Sequence, residues 1–304
     1  MRKISLSFNV AISLIVCMMV WGFIITPAYA GKEIEKLNIG IGIDITTLNP
    51  QEQNTSVPMN MCALVYDPLF YQKEDSSLEP RLATGYDVSM DGLTYTLHLR
   101  KGVRFSDGTQ FNAHAVKLMF DRALDKKLRV PLRFTFTMID TTKVIDDYTV
   151  VIKLKYAWSP FAASLSEALK GIMSPAAIEK YGENVRQNPV GAGPYKLLEW
   201  VRGDHITFIR NDDYWGPKPT TKKLVYKIIP EPATREAMLR TGEIDICYKP
   251  TPTNVPALQA DPNIMVEMPV DTRVIFMAMN CKKGVTTDKR VRQAPARRRR
   301  PRHR

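Results

Sequence analysis

The chain has 304 residues, 44% of them hydrophobic and 24% charged, the balance of a globular protein with one large core or two smaller ones. Its formal net charge of +12 invites a nucleic-acid partner, but six arginines fall within the last ten residues and Arg2 and Lys3 add two more. Residues 31–294 carry 35 basic against 31 acidic side chains, so the body is close to neutral and its charge is no argument for nucleic acid.

Residues 1–30 read as a secretory signal. Arg2 and Lys3 precede an apolar stretch from Ile4 to Ile25, Thr26-Pro27 breaks it, and Ala28-Tyr29-Ala30 sets small residues at the positions a signal peptidase inspects. Cleavage between Ala30 and Gly31 is expected. An uncleaved anchor is the alternative, because the stretch is long enough to span a bilayer, and Val16 is too bulky to favour lipid attachment at Cys17. Of the other cysteines, Cys62, Cys247 and Cys281, none forms a C-x-x-C pair or a metal-ligand spacing with histidine. They are expected to be small buried residues, with no disulfide pairing assigned.

The run Leu37–Ile43 alternates large apolar with small or polar residues, predicting a half-buried strand. Asp44–Pro50 reads as a polar loop, Pro58–Tyr66 as a helix and Asp67–Tyr71 as extended chain. Gly85–Ser89 and Leu93–Leu99 flank a Met90-Asp91-Gly92 turn and predict a hairpin. After the Ser106-Asp107-Gly108 turn, Asn112 is placed to cap a helix whose apolar face is Val116, Met119, Phe120, Ala123 and Leu124.

A second hairpin is expected around Asp146-Asp147, leading into Tyr148–Leu154. Residues 160–184 read as helix in two pieces, broken at Gly171 and Ser174-Pro175. Strands follow at Tyr195–Val201, His205–Arg210 and Lys223–Ile229, then a helix at Pro232–Arg240 closed by Thr241-Gly242. Short strands are expected at Ile244–Ile246, Ile264–Met268 and Arg273–Asn280. Hairpins mixed with helix-linked strands indicate a mixed-sheet α/β or α+β protein without internal repeats.

Catalytic signals are missing. The sequence has no G-x-S-x-G, no phosphate loop ending in Lys-Ser/Thr and no H-E-x-x-H. His98, His114 and His205 lie far apart and read as structural or surface residues. The pairs Asp146-Asp147 and Asp212-Asp213 suit turns better than acid–base couples, since adjacent side chains point apart. In Val190-Gly191-Ala192-Gly193-Pro194-Tyr195 the glycine spacing is wrong for a nucleotide loop, and Pro194 leads into a strand rather than a helix.

Four segments carry a resemblance together: Asp91–Thr109 (DGLTYTLHLRKGVRFSDGT), Val190–Leu197 (VGAGPYKL), Arg210–Gly216 (RNDDYWG) and Thr241–Ile246 (TGEIDI). In this order and spacing the chain resembles the family 5 bacterial extracellular solute-binding proteins, the peptide/nickel-type components of ABC importers, over residues 36–294. The resemblance implies a type II periplasmic-binding-protein fold, with two lobes that close on a ligand by hinge motion and dock on a membrane permease. Residues 31–70 and 188–272 would form the core of lobe I, 71–187 its inserted subdomain and 273–294 the start of lobe II.

The resemblance further implies a periplasmic monomer that is not an enzyme, needs no cofactor or metal and meets no nucleic acid. Its partners would be a peptide, or another small solute such as a nickel complex, a glutathione-like thiol or an oligosaccharide, and the ABC permease subunits. The loop Asp44-Ile45-Thr46-Thr47-Leu48-Asn49 would face the cleft, its free backbone groups suited to an extended peptide. Arg273 and Phe276, near the crossing between lobes, are further candidates. A solvated strand-edge charge competes for Arg273. Tyr214 and Trp215 are expected to pack a core rather than touch solute.

The chain departs from the family after Thr287–Ala294. Residues 295–304 have no apolar periodicity, and Pro295 is expected to stop the starting helix after two turns. Arg, Pro, Ala and His share GC-rich codons, which suggests a frameshifted or misjoined gene end. The expectation is a truncated copy lacking most of lobe II and impaired in binding. The rival readings are nucleic-acid or acidic-surface binding by the arginine run, which has no aromatic interleaving, and a secreted hydrolase, which has no motif.

Overall fold

The computed structural model describes residues 33–53, 55–268 and 278–298. The signal segment with Ala30 and Gly31, the candidates Arg273 and Phe276, and most of the Arg273–Asn280 run lie outside these residues. Two compact units meet in sequence at Thr253 and Asn254.

In the first unit, β1 (Ile34–Ile41) leads through a loop to α1 (Ser56–Val65), β2 (Phe70–Gln72) and β3 (Leu78–Pro80). Next come β4 (Ala83–Val88), β5 (Thr94–Leu99), α2 (Ala113–Leu124), β6 (Ile139–Asp146) and β7 (Thr149–Leu154). The short helices α3 (Phe161–Ser164) and α4 (Pro175–Tyr181) precede β8 (Tyr195–Val201), β9 (His205–Arg210), β10 (Thr221–Ile228), α5 (Pro232–Thr241) and β11 (Ile246–Cys247).

The strands form a five-stranded mixed sheet in the order β11-β1-β10-β9-β8, a four-stranded antiparallel sheet β4-β5-β7-β6 and the pair β2-β3. β1 runs parallel to both β10 and β11, while β9 is antiparallel to its neighbours.

Local chemistry accounts for most boundaries. Asp91 Oδ1 accepts from the Leu93 amide at 2.9 Å, and Gly92 takes φ +69°, closing the β4–β5 turn. In β5, Tyr95, Leu97 and Leu99 are buried while His98 faces outward, the period-two pattern of a sheet with one dry face. Asn112 Oδ1 accepts from the amides of His114 and Ala115 at 3.1 and 3.3 Å and starts α2. Val116, Met119, Phe120 and Ala123 of α2 are buried with Val150, Ile152 and Leu154 of β7. Each large side chain so buried contributes roughly 1.5–3 kcal/mol.

The glycines of VGAGPY serve close packing. A Cβ on Gly191 would lie 2.2 Å from the Val65 carbonyl oxygen, and one on Gly193 2.5 Å from the Val65 carbonyl carbon. The Gly193 amide donates to that Val65 oxygen at 2.8 Å, so the segment passes directly over the end of α1. Gly171 breaks the 160–184 stretch for a similar reason, its Cβ position being filled by the Cβ of Tyr66 at 2.6 Å.

The second unit holds α6 (Val255–Gln259) and α7 (Lys289–Arg298). Two expectations fail here. Residues 264–268 form no strand: Met265 and Met268 are exposed, and no strand among the described residues pairs with them. Helix α7 also continues through Pro295 to Arg298. An interior proline loses an amide donor and its ring crowds the preceding turn, which is why the sequence predicted a stop there.

Candidate functional site

The carboxyl ends of β1 and β10 lie side by side, and in open α/β sheets ligands bind at that edge. Gly40 and Gly42 keep the edge thin. A Cβ on Gly40 would meet Ile244 at 2.6 Å, and one on Gly42 would meet Nη1 of Arg235 at 2.9 Å. Arg235 of α5 is 4% exposed and ties the edge together. Its Nη1 donates to the carbonyls of Ile229 (2.6 Å) and Pro230 (2.9 Å), and its Nη2 to that of Lys249 (3.2 Å).

The loop that leaves β1 is half core and half surface. Ile45, Thr47, Leu48 and Asn49 are buried, whereas Ile43, Asp44 and Thr46 are exposed. The carbonyls of this segment are already engaged: Arg202 donates to those of Ile45 and Thr46, and Gln53 Nε2 to those of Thr47 (2.7 Å) and Asn49 (3.0 Å). The Leu48 amide donates to the Arg186 carbonyl at 2.8 Å, and Asn49 Oδ1 accepts from the Gln51 amide at 3.1 Å, capping a short turn at Pro50–Glu52. The expectation of carbonyls free for an extended peptide therefore does not hold for Ile45, Thr46, Thr47 and Asn49. The solvent-facing chemistry is the Ile43 side chain, the Asp44 carboxylate and the Thr46 hydroxyl.

Beside the loop runs an open groove of about 470 Å³, between the β8 residues Leu197–Trp200 and the segment Gln187–Val190, with Tyr181 and Arg202 at its rim. The Arg202 guanidinium lies over the Trp200 ring at 3.8 Å while bonding the Ile45 and Thr46 carbonyls, so one side chain joins groove and loop. Sequence reasoning did not single out Arg202, Trp200 or Arg235. Their partners lie far along the chain, and no local motif marks them.

Tyr214 and Trp215 are occupied by the scaffold. Both donate to Asp67 Oδ2, at 3.0 and 2.8 Å, and Arg81 donates to Asp67 Oδ1 at 3.0 Å. Burial pushes the Asp67 carboxyl above its ordinary value, while Arg81, Tyr214 and Trp215 pull it back. The same burial, with the Asp67 carboxylate, pushes the Tyr214 hydroxyl up. Asp212 pairs with Arg210 at 2.8 Å and Asp146 accepts the Tyr148 amide at 2.8 Å, as turn residues do.

All three described cysteines are free. Cys62 is buried and its thiol pushed up by burial, whereas Cys281 is exposed, so the expectation of buried cysteines fails there for want of surrounding core. Among the described residues no group of His, Cys, Asp and Glu could hold a metal ion, and no helix is long and apolar enough to cross a membrane.

Solved structures that share this fold include periplasmic binding proteins. DppA of Helicobacter pylori, associated with an ABC transporter and solved with the peptide STSA, superposes with a TM-score of 0.69 at 30% identity, covering 76% of this chain and 50% of that one. NikZ of Campylobacter jejuni, solved with Ni(L-His), gives a TM-score of 0.68 at 29% identity, covering 75% and 46%. The mixed α/β fold is thus that of the periplasmic binding proteins.

The model of the bacterial extracellular solute-binding proteins, family 5, matches residues 77–296, and the chain belongs to that family. A glutathione-binding protein GsiB from an Escherichia coli strain is 35% identical over 270 residues, 88% of this chain and 52% of its own length. The corresponding protein of Pectobacterium atrosepticum is 33% identical with the same coverage. The chain spans about half the length of the curated relatives it matches.

Proposed function

We propose that this chain carries the first lobe of an extracytoplasmic solute-binding protein that delivers peptides, or a similar small solute, to an ABC importer. Its family membership over residues 77–296 carries the reading. The relatives are named for glutathione, and solved neighbours hold a tetrapeptide and a nickel–histidine complex, all small polar solutes. The five-stranded sheet, drawn from residues 31–70 and 188–272, acts as the lobe core, and the four-stranded sheet within 71–187 as its inserted subdomain.

Solute contacts fall to the exposed part of the loop, Ile43, Asp44 and Thr46, and to the groove rim at Arg202. Buried Ile45, Thr47, Leu48 and Asn49 shape the loop from beneath. Arg273 and Phe276 add contacts at the crossing toward the second lobe. The protein is exported, with cleavage between Ala30 and Gly31, works as a monomer and catalyses no reaction.

A lobe alone encloses little of a ligand's surface, so a polypeptide of these 304 residues by itself is expected to bind more weakly than one carried to the relatives' length. Calorimetry with short peptides, glutathione and nickel–histidine tests both statements. Binding by the continued chain and little by this one is expected. Equal affinity in the two would overturn the dependence on the second half, and cleavage of any peptide would overturn the non-enzymatic reading.

A further inference from the structure

His205 opens β9 at the turn beside the candidate loop, and both of its ring nitrogens face carboxylates. Nδ1 lies 2.8 Å from Oδ2 of Asp204, and Nε2 lies 3.2 Å from Oε2 of Glu199. A neutral imidazole has one N–H and one lone pair, so it satisfies one carboxylate and turns its lone pair on the other. Only the imidazolium donates to both.

Other charges on the surrounding elements are engaged elsewhere. Lys227 of β10, in register with His205, donates its ammonium to the Glu243 carbonyl at 3.1 Å. Arg202 in the turn is held by the Ile45 and Thr46 carbonyls and the Trp200 ring, and Asp44 on the facing loop accepts from the Gly203 amide at 3.0 Å. Lys196, the remaining cation of β8, pairs with Asp213. Among the ion pairs of the described residues, Glu199 and Asp204 each pair with His205 alone.

The turn that His205 closes is also the turn that holds the loop. Gly203 takes φ +75° and presents its amide to Asp44, Arg202 reaches the loop carbonyls, and the Asp204 carbonyl accepts from the Ile228 amide at 2.7 Å. We propose that His205 is a proton-operated latch: protonated, it clamps Asp204 and Glu199 across the β8–β9 turn and thereby orders residues 44–46 through Asp44 and Arg202. The proton comes from solvent, to which 23% of the side chain is open.

Hydrogen bonds to Asp204 and then Glu199 raise the imidazole above its ordinary 6.5. The latch is therefore complete below that ordinary value and is lost as pH rises through the raised one. It rests on these bonds and not on the solute-binding reading, so a failure to bind peptide leaves it standing.

The test uses the full chain without solute. Proton NMR of the histidine rings across the pH range, with His205→Gln to assign the signal, is expected to show His205 titrating above the ordinary 6.5. In parallel, hydrogen exchange of the amides of residues 44–46 and 202–204, corrected for intrinsic rate, is expected to quicken several-fold in wild type as pH rises through that titration. The rise is expected to be absent in His205→Gln, and Glu199→Gln is expected to lower the ring's titration point. A ring that titrates at the ordinary value, or an exchange profile identical in wild type and His205→Gln, would overturn the latch. The wild-type exchange profile needs no variant, so a poorly folding substitution does not blunt the test.

Discussion

Asp44 and Gly203 stand 159 residues apart in the chain, yet Asp44 Oδ2 accepts a hydrogen bond from the Gly203 amide at 3.0 Å. That bond fastens the loop after β1 to the turn between β8 and β9. Asp44→Ala releases the amide to water at an exposed site, so the cost to stability is at most about 1 kcal/mol. Faster hydrogen exchange at Gly203, with the global urea midpoint almost unmoved, is the expected result. Unchanged exchange would mean that the bond does not hold the turn.

Gly193 has no room for a methyl group, since its Cβ would sit 2.5 Å from backbone carbon of Val65. Gly193→Ala must push apart α1 and the chain entering β8, at a cost of about 3 kcal/mol or more. Urea denaturation measures it. A loss below about 1 kcal/mol would show that the two segments separate easily.

Asp67 anchors Arg81, Tyr214 and Trp215 while almost fully buried. Asp67→Ala strands the Arg81 guanidinium and two further donors, and is expected to cost about 3–5 kcal/mol. Asp67→Asn, which keeps an acceptor, should recover part of that in the same melts.

Lys170 has a side chain only 1% exposed, paired with Glu167 at 2.7 Å and set 5.2 Å from the Phe136 ring centre. Burial holds its ammonium below the ordinary 10.5, Glu167 offsetting part of the shift. Between the lowered value and 10.5 the unfolded chain binds more protons than the folded one, so stability contributed by this group rises with pH there. Lys170→Met is expected to abolish that rise and to leave neutral-pH stability unchanged or higher by up to about 2 kcal/mol. Denaturation at neutral pH and at about pH 10 checks both parts. A destabilised variant at neutral pH would show that the ion pair outweighs its desolvation.

Much of the fold is legible in the sequence. Asp91-Gly92 announced the β4–β5 hairpin and Asn112 the start of α2, because a turn or a cap is decided by hydrogen bonds within two or three residues. The alternation in Thr94–Leu99 likewise identified a one-sided strand. Where an apolar run has no partner strand among the described residues, as at Ile264–Met268, the same reasoning failed. At Pro295 it failed again, the helix running on to Arg298.

The candidate site was less legible. The sequence marked Asp44–Asn49 as a loop, but not its division into buried Ile45, Thr47, Leu48 and Asn49 and exposed Asp44 and Thr46. Nor did it mark the engagement of the loop's carbonyls by Arg202 and Gln53. The sequence by itself determined the turns, caps and strand faces, because those depend on chain neighbours. Only the tertiary structure decided which groups at the sheet's carboxyl edge remain exposed. That choice depends on Arg202, Gly203 and Arg235, which reach the edge from distant parts of the chain only after the five strands have paired.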